Sequence, residues 1–313
     1  MRRAALLVAL AGCVVACAGA ACGGTGSEAR GRVPGRSEAG RRAQGAPATV
    51  RGDASAAQLE LSTASSASAL AGTSSAQPAP PHGAAPERST WALLPVEGFE
   101  SAVVVEPPDD GRVRPLVVVT HGAGGRPEAH CERWEEIVGS SAFIACTRGR
   151  GMNTHLPEPE RGYFYDGHHE LGRELDESFV ALERRYGARL DTRAAIFAGY
   201  SQGAAMGILA LHEKPERAAR FGGVLLVEGG TGDWNVALSE RMLRLGVRRV
   251  AFVCGQASCI DAAQTSKPWL ARAGLPLRVD YARGAGHTYR GAVGQLVEQA
   301  YAWVIEGDTR FER

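Results

Sequence analysis

The stretch Ala195-Ile196-Phe197-Ala198-Gly199-Tyr200-Ser201-Gln202-Gly203-Ala204-Ala205-Met206 decides the reading of this chain. An apolar run of strand length enters Gly-x-Ser-x-Gly and leaves as a helix of small residues. A serine hydroxyl is a poor nucleophile unless its oxygen stands clear of the backbone and a base can reach it. A tight strand-to-helix turn provides this, and it crowds the positions two before and two after the serine, which must be small. Gly199 and Gly203 meet that demand, and Ala204 and Ala205 let the helix pack close to the strand. The helix start then aims backbone N–H groups and a positive dipole end at any developing anion. The five-residue motif alone is weak evidence in a chain with 40 glycines. Its weight comes from the strand before it and the helix after it.

Two further segments extend the constellation. Val119-Thr120-His121-Gly122-Ala123-Gly124-Gly125 directly follows the apolar run Pro115–Thr120. A glycine-rich loop at a strand end exposes backbone N–H groups, so those of Ala123 and Gln202 are predicted to form an oxyanion hole. His121 reads as a brace for that loop. Gly284-Ala285-Gly286-His287-Thr288-Tyr289 lies between the last strand and the last helix, and His287 is the candidate general base. The three segments occur in order, each at the C-terminal end of a strand, where α/β sheets place their ligands.

From Pro115 to Ile305 the chain resembles an α/β-hydrolase of the small carboxylesterase or dienelactone-hydrolase type. The resemblance implies a mostly parallel central sheet flanked by helices, with a minimal cap. It also implies attack by Ser201 on a carbonyl, proton transfer by His287, and an acyl-enzyme opened by water. The family's acid normally lies in the loop after the strand that is here Arg249–Cys254. That loop reads Gly255-Gln256-Ala257-Ser258-Cys259-Ile260-Asp261, with serine at 258 where Asp is expected. Two carboxylates remain as candidates: Glu228, freed at a strand end by Gly229 and Gly230, and Asp261 slightly later in the chain. Asp233 is a more distant third. Without an acid, the fold would serve a binding lipoprotein rather than an enzyme.

The rest of the chain gives the frame. Strands are expected at Ala102–Glu106, Pro115–Thr120, Ala142–Cys146, Ala194–Ala198, Gly223–Val227, Arg249–Cys254 and Leu277–Tyr281. Helices are expected at Gly172–Tyr186, Gln202–His212, Ile260–Ala273 and Gly291–Glu306. Alternation of apolar strands with helices means an α/β fold. Residues 149–169 read as a surface excursion with an aromatic anchor, or as a wall of the acyl pocket. Its pair His168-His169 hints at a metal, but no third ligand is evident in the sequence, so no metal and no cofactor are assigned.

Residues 23–88 are rich in Ala, Gly, Ser, Pro, Thr and Arg and poor in large apolar residues. They cannot bury enough surface to offset their ordering entropy, and read as a tether ahead of a folded domain at 89–313. Residues 1–22 read as an export signal: Arg2-Arg3, an apolar run, then Leu10-Ala11-Gly12-Cys13, which resembles a bacterial lipobox with Cys13 as the lipidated residue. Cys17 is a weaker alternative, cleavage at Ala18-Gly19-Ala20 another, and an uncut span a third. The expected place is the cell envelope, with a lipid anchor in the membrane. Export makes disulfides plausible, and Cys131–Cys146 and Cys254–Cys259 each close a short loop. The formal charge of +1 argues against a nucleic-acid partner. A monomer acting on a small acyl-ester substrate is the expected form.

Overall fold

The computed structural model describes residues 90–312. The readings of residues 1–22, including Cys13, and of residues 23–88 lie outside the described residues. The chain forms strands β1 (Thr90–Leu94), β2 (Ala102–Glu106) and β3 (Arg114–Thr120), helix α1 (Pro127–Val138), and strand β4 (Phe143–Cys146). A short hairpin of β5 (Arg150–Gly151) and β6 (Tyr163–Phe164) precedes α2 (His168–Tyr186), β7 (Leu190–Tyr200), α3 (Gln202–Glu213) and the single turn α4 (Pro215–Ala218). Then come β8 (Phe221–Val227), α5 (Val236–Arg244), β9 (Arg249–Cys254), α6 (Ala257–Ala273), β10 (Leu277–Tyr281) and α7 (Gly291–Ile305).

Eight strands make one sheet in the order β1-β2-β4-β3-β7-β8-β9-β10. The pairings β1–β2 and β2–β4 are antiparallel, and all the others are parallel. The central strands β3 and β8 are buried along their whole length. That is why they read as unbroken apolar runs: helices cover both faces. Leu171, Leu175, Phe179 and Leu182 of α2 share one core with Ala204, Ile208 and Leu211 of α3, Leu238 and Met242 of α5, and Ala263 and Leu270 of α6. On the opposite face Cys131, Trp134 and Val138 of α1 pack with Val293, Val297 and Val304 of α7. Alternate residues of β7 divide between the layers, with Phe197 in the first and Ile196 and Ala198 in the second. Each large apolar side chain buried this way contributes about 2–3 kcal/mol.

All seven expected strands and all four expected helices are present, with ends shifted by a few residues. The expected helix end at Glu306 falls one residue past α7, where Glu306 serves as the cap. Helix α1 and helix α5 were not foreseen. The acidic and basic residues interleaved in Glu128–Glu136 obscure the apolar stripe of α1. Both expected disulfides form, Cys131–Cys146 tying α1 to β4 and Cys254–Cys259 tying β9 to α6.

The winding places the site. From β3 the chain steps one way, through α1 to β4. It then crosses back through α2 to β7 and proceeds the other way to β10. The reversal lies between β3 and β7, and ligands of open α/β sheets bind outside the strand ends at such a switch point. His121 begins the loop after β3, and Ser201 follows β7.

Candidate active site

Ser201 is the single residue between β7 and α3, with φ 52° and ψ −118°. A non-glycine residue in this region carries about 1–3 kcal/mol of strain, and such residues cluster at functional sites. The turn is pinned on two sides. The Ser201 N–H donates to Val227 O at 2.8 Å, and the Gly203 N–H donates to His121 O at 3.0 Å. Space around it is exhausted. A Cβ on Gly199 would lie 2.6 Å from Ala204 Cα, and one on Gly203 would strike His121 O and lie 2.7 Å from Thr120 C. These obstacles are backbone atoms and cannot rotate away. Gly203→Ala is therefore expected to cost about 3 kcal/mol or more and to depress the soluble yield sharply. A thermal melt within a degree of the parent would show that the turn is looser than described.

The Ser201 Oγ lies 2.7 Å from His287 Nε2. The tautomer follows from the other ring nitrogen: a carbonyl oxygen faces Nδ1 and can only accept, so Nδ1 carries the proton and Nε2 is left to accept from Ser201. At 2.9 Å from Nδ1 is Gln256 Oε1, which accepts that proton's hydrogen bond. Glu228 Oε2 stands 3.8 Å from the same nitrogen, with its side chain wholly shielded from solvent. Its other oxygen, Oε1, accepts from the Gly255 N–H, while Oε2 has no hydrogen-bond partner among the described residues. Burial pushes the Glu228 carboxyl above its ordinary value, and the Gly255 N–H and the His287 charge oppose the rise. Glu228 also has a positive φ, 56°, held by its N–H bond to Val253 O. Two strained residues thus converge on one imidazole.

Of the two carboxylates expected from the sequence, the structure brings Glu228 to His287 and not Asp261. Asp261 is exposed and lies within α6. Strand β9 ends at Cys254, only Gly255 and Gln256 separate it from α6, and the helix carries Asp261 away. Asp233 likewise is not against His287. Gln256 was missed, although it lies in the loop singled out for the acid.

Of the two donors expected from the sequence, Ala123 lies in the loop after β3 and Gln202 opens α3 directly after Ser201. The N–H groups of Gly124 and Gly125 are consumed by Tyr163 O and Gly122 O, at 2.8 and 2.9 Å. Those of Ala123 and Gln202 have no hydrogen bond among the described residues. A Cβ on Gly122 would lie 3.1 Å from Ser201 Cβ, so this loop abuts the nucleophile. Strand β6 braces it, and the aromatic anchor expected in residues 149–169 is Tyr163 and Tyr165, both buried. The Gln202 side chain pairs twice with the Tyr165 backbone, accepting its N–H at 3.0 Å and donating to its carbonyl at 3.1 Å. Tyr165 Oη in turn accepts the His121 N–H at 3.2 Å, and the two rings stack at 4.7 Å. His121 is buried with its ring nitrogens against Gly122 O and Arg148 O, each at 2.8 Å, so it braces the loop as expected. Burial also depresses its basicity.

An aromatic layer supports His287 from below. Tyr200 lies 5.4 Å from the His287 ring and 4.6 Å from Tyr289, and donates its hydroxyl to His287 O at 3.1 Å. His130 stacks on Tyr289 at 4.7 Å, and burial pulls it down to about 3, so it is neutral at physiological pH.

Beneath the loop at residues 148–149, Glu174 is buried and accepts the N–H groups of Arg148 and Gly149 at 2.8 and 3.0 Å. Burial raises its carboxyl from 4.5 to about 7. The folded state then holds a proton that the unfolded chain releases near 4.5. The stability from this group is full below that value and is lost as pH rises through about 7. Glu174→Gln keeps the acceptor and removes the titration. Its stability relative to the parent is expected to be about 3 kcal/mol greater at pH 8 than at pH 4. Parallel melts at the two pH values check this, and a constant difference refutes it.

No protein-family description and no curated relative matches the chain by sequence. Solved structures do match. A Thermus thermophilus protein superposes with a TM-score of 0.51 at 18% identity, over 71% of this chain and 100% of its own. A candidate dienelactone hydrolase from Klebsiella pneumoniae superposes with a TM-score of 0.52 at 15% identity, over 70% of this chain and 98% of its own. With its mostly parallel sheet, the reversal between β3 and β7, and the serine turn at that reversal, the chain has the α/β-hydrolase fold.

Proposed function

We propose that the chain is a serine hydrolase cleaving esters of small acyl substrates through an acyl-enzyme on Ser201. The contact between Ser201 Oγ and His287 Nε2, at 2.7 Å in a strained strand-to-helix turn, carries this reading. His287 takes the hydroxyl proton as Ser201 attacks the carbonyl carbon. The N–H groups of Ala123 and Gln202 receive the developing oxyanion. His287 then passes the proton to the leaving alcohol, and the reverse sequence with water releases the acid. Glu228 supplies the negative charge that stabilises the imidazolium, and Gln256 holds the resting tautomer.

The hydrogen bond from His287 to Gln256 also favours a second reading, a binding protein with an attenuated site. Reaction with a fluorophosphonate probe separates the two. The parent should be labelled at Ser201 and should release p-nitrophenol from short-chain esters. Absence of both would leave the binding reading.

Export to the cell envelope with a diacylated Cys13 is part of the same proposal. Two disulfides support it, because they persist in oxidising compartments. Cys13→Ala should move the protein from the membrane fraction to the soluble one.

A further inference from the structure

The sequence presents His168-His169 without a third ligand, and the fold supplies one. Both histidines open α2, and Glu213 closes α3. Their ligand atoms lie within 4.8 Å of one another. His169 Nδ1 is 2.5 Å from Glu213 Oε1, and the two imidazole rings are 4.0 Å apart. From these residues we propose a surface site for a borderline-soft divalent cation of the zinc type, held by His168, His169 and Glu213 and clamping α2 to α3.

Two imidazoles and one carboxylate are a donor set suited to zinc, nickel or copper. Magnesium and calcium prefer oxygen ligands in larger number. Zinc bonds of about 2.0–2.2 Å in tetrahedral geometry place ligand atoms roughly 3.4 Å apart. To take up the ion, the His169–Glu213 pair would open from 2.5 Å and the half-buried His168 would turn to match. Three protein ligands leave a fourth position for water.

The surroundings suit a ligand carboxylate. Glu213 Oε2 lies 3.4 Å from Arg217 Nη1, so the carboxylate is oriented from behind while Oε1 faces the histidines. Arg217 does not depend on Glu213, because it bonds both oxygens of Asp176, at 3.0 and 2.9 Å, and Ala210 O at 2.7 Å. Lys214 is engaged by Asp176 at 3.0 Å. An outer partner that fixes a ligand in this way raises its metal affinity.

The cation would also tie the segment that enters α2 to the helix that begins at the Ser201 turn. Residues 165–169 are joined to the start of α3 by the pairing of Tyr165 with Gln202, and would be joined to its end through Glu213. The site stands apart from Ser201 and does not rest on the hydrolase reading.

The test is zinc binding by the full chain without a histidine tag, after chelator treatment, with ZnCl2 titrated calorimetrically and thermal unfolding followed alongside. Saturable binding of zinc with a rise in melting temperature is expected, with no comparable response to MgCl2. His169→Ala and Glu213→Gln should each weaken zinc binding by about tenfold or more, with circular dichroism confirming an unchanged fold. Absence of saturable binding, or binding undiminished in either variant, would overturn the proposal. Ester hydrolysis by the zinc-free parent is read separately, so the two proposals can fail independently.

Discussion

Ser201→Ala is expected to lower turnover of short-chain esters by about 10³- to 10⁶-fold and to abolish fluorophosphonate labelling. The variant keeps the Cβ and the backbone strain and removes only the oxygen that lies 2.7 Å from His287 Nε2. Its folding should be unchanged. A residual rate above that in water is expected, because the N–H groups of Ala123 and Gln202 still meet the oxyanion. Ser201→Gly adds a second reading of the same site. Glycine adopts a φ of 52° without the strain that serine bears there. That variant should be inactive and yet unfold at a higher temperature than Ser201→Ala. Undiminished hydrolysis in either variant would remove Ser201 from the chemistry altogether.

Glu228→Gln is expected to cost about 10³-fold in turnover, and Gln256→Ala about tenfold. The argument for the first is electrostatic. A buried carboxylate 3.8 Å from His287 Nδ1 stabilises the imidazolium formed during attack. At an effective dielectric near 20, that pairing contributes about 4 kcal/mol. Glutamine preserves the shape and the acceptor for the Gly255 N–H while removing the charge. Gln256 is neutral, and its hydrogen bond to the imidazole contributes about 1 kcal/mol to orientation. Steady-state kinetics on both variants decide the matter. A larger loss in Gln256→Ala than in Glu228→Gln would transfer the main role to the hydrogen bond and away from the charge.

Much of this site was legible in the sequence because its requirements are local. Gly199 is required by Ala204 five positions on, and the fixed Gly-x-Ser-x-Gly spacing marks Gly203 as well, although what crowds it is the distant pair Thr120 and His121. Apolar runs such as Pro115–Thr120 follow from burial on both faces. The loop His121–Gly125 and the histidine before the last helix take their meaning from their order along the chain. Helix α1 was harder to see because charged residues interleave with its apolar stripe, and α5 because it spans only nine residues.

Ser201, His287 and the donors Ala123 and Gln202 were therefore fixed as candidates by residue type, spacing and order alone. The partner of His287 was not. Glu228 and Asp261 are comparable as text, and only the packing distinguishes them. Strands β8 and β9 lie side by side in register, so the end of β8 sets Glu228 against Gly255, and the loop that carries His287 approaches the same glycine through Gly286. Helix α6 begins at once after Gln256 and turns Asp261 away. The same holds for Glu213, which is 44 residues from His169 in the chain and reaches it only because α2 packs on α3. Contacts between elements depend on strand order, register and helix packing, and those arise from the folded chain as a whole.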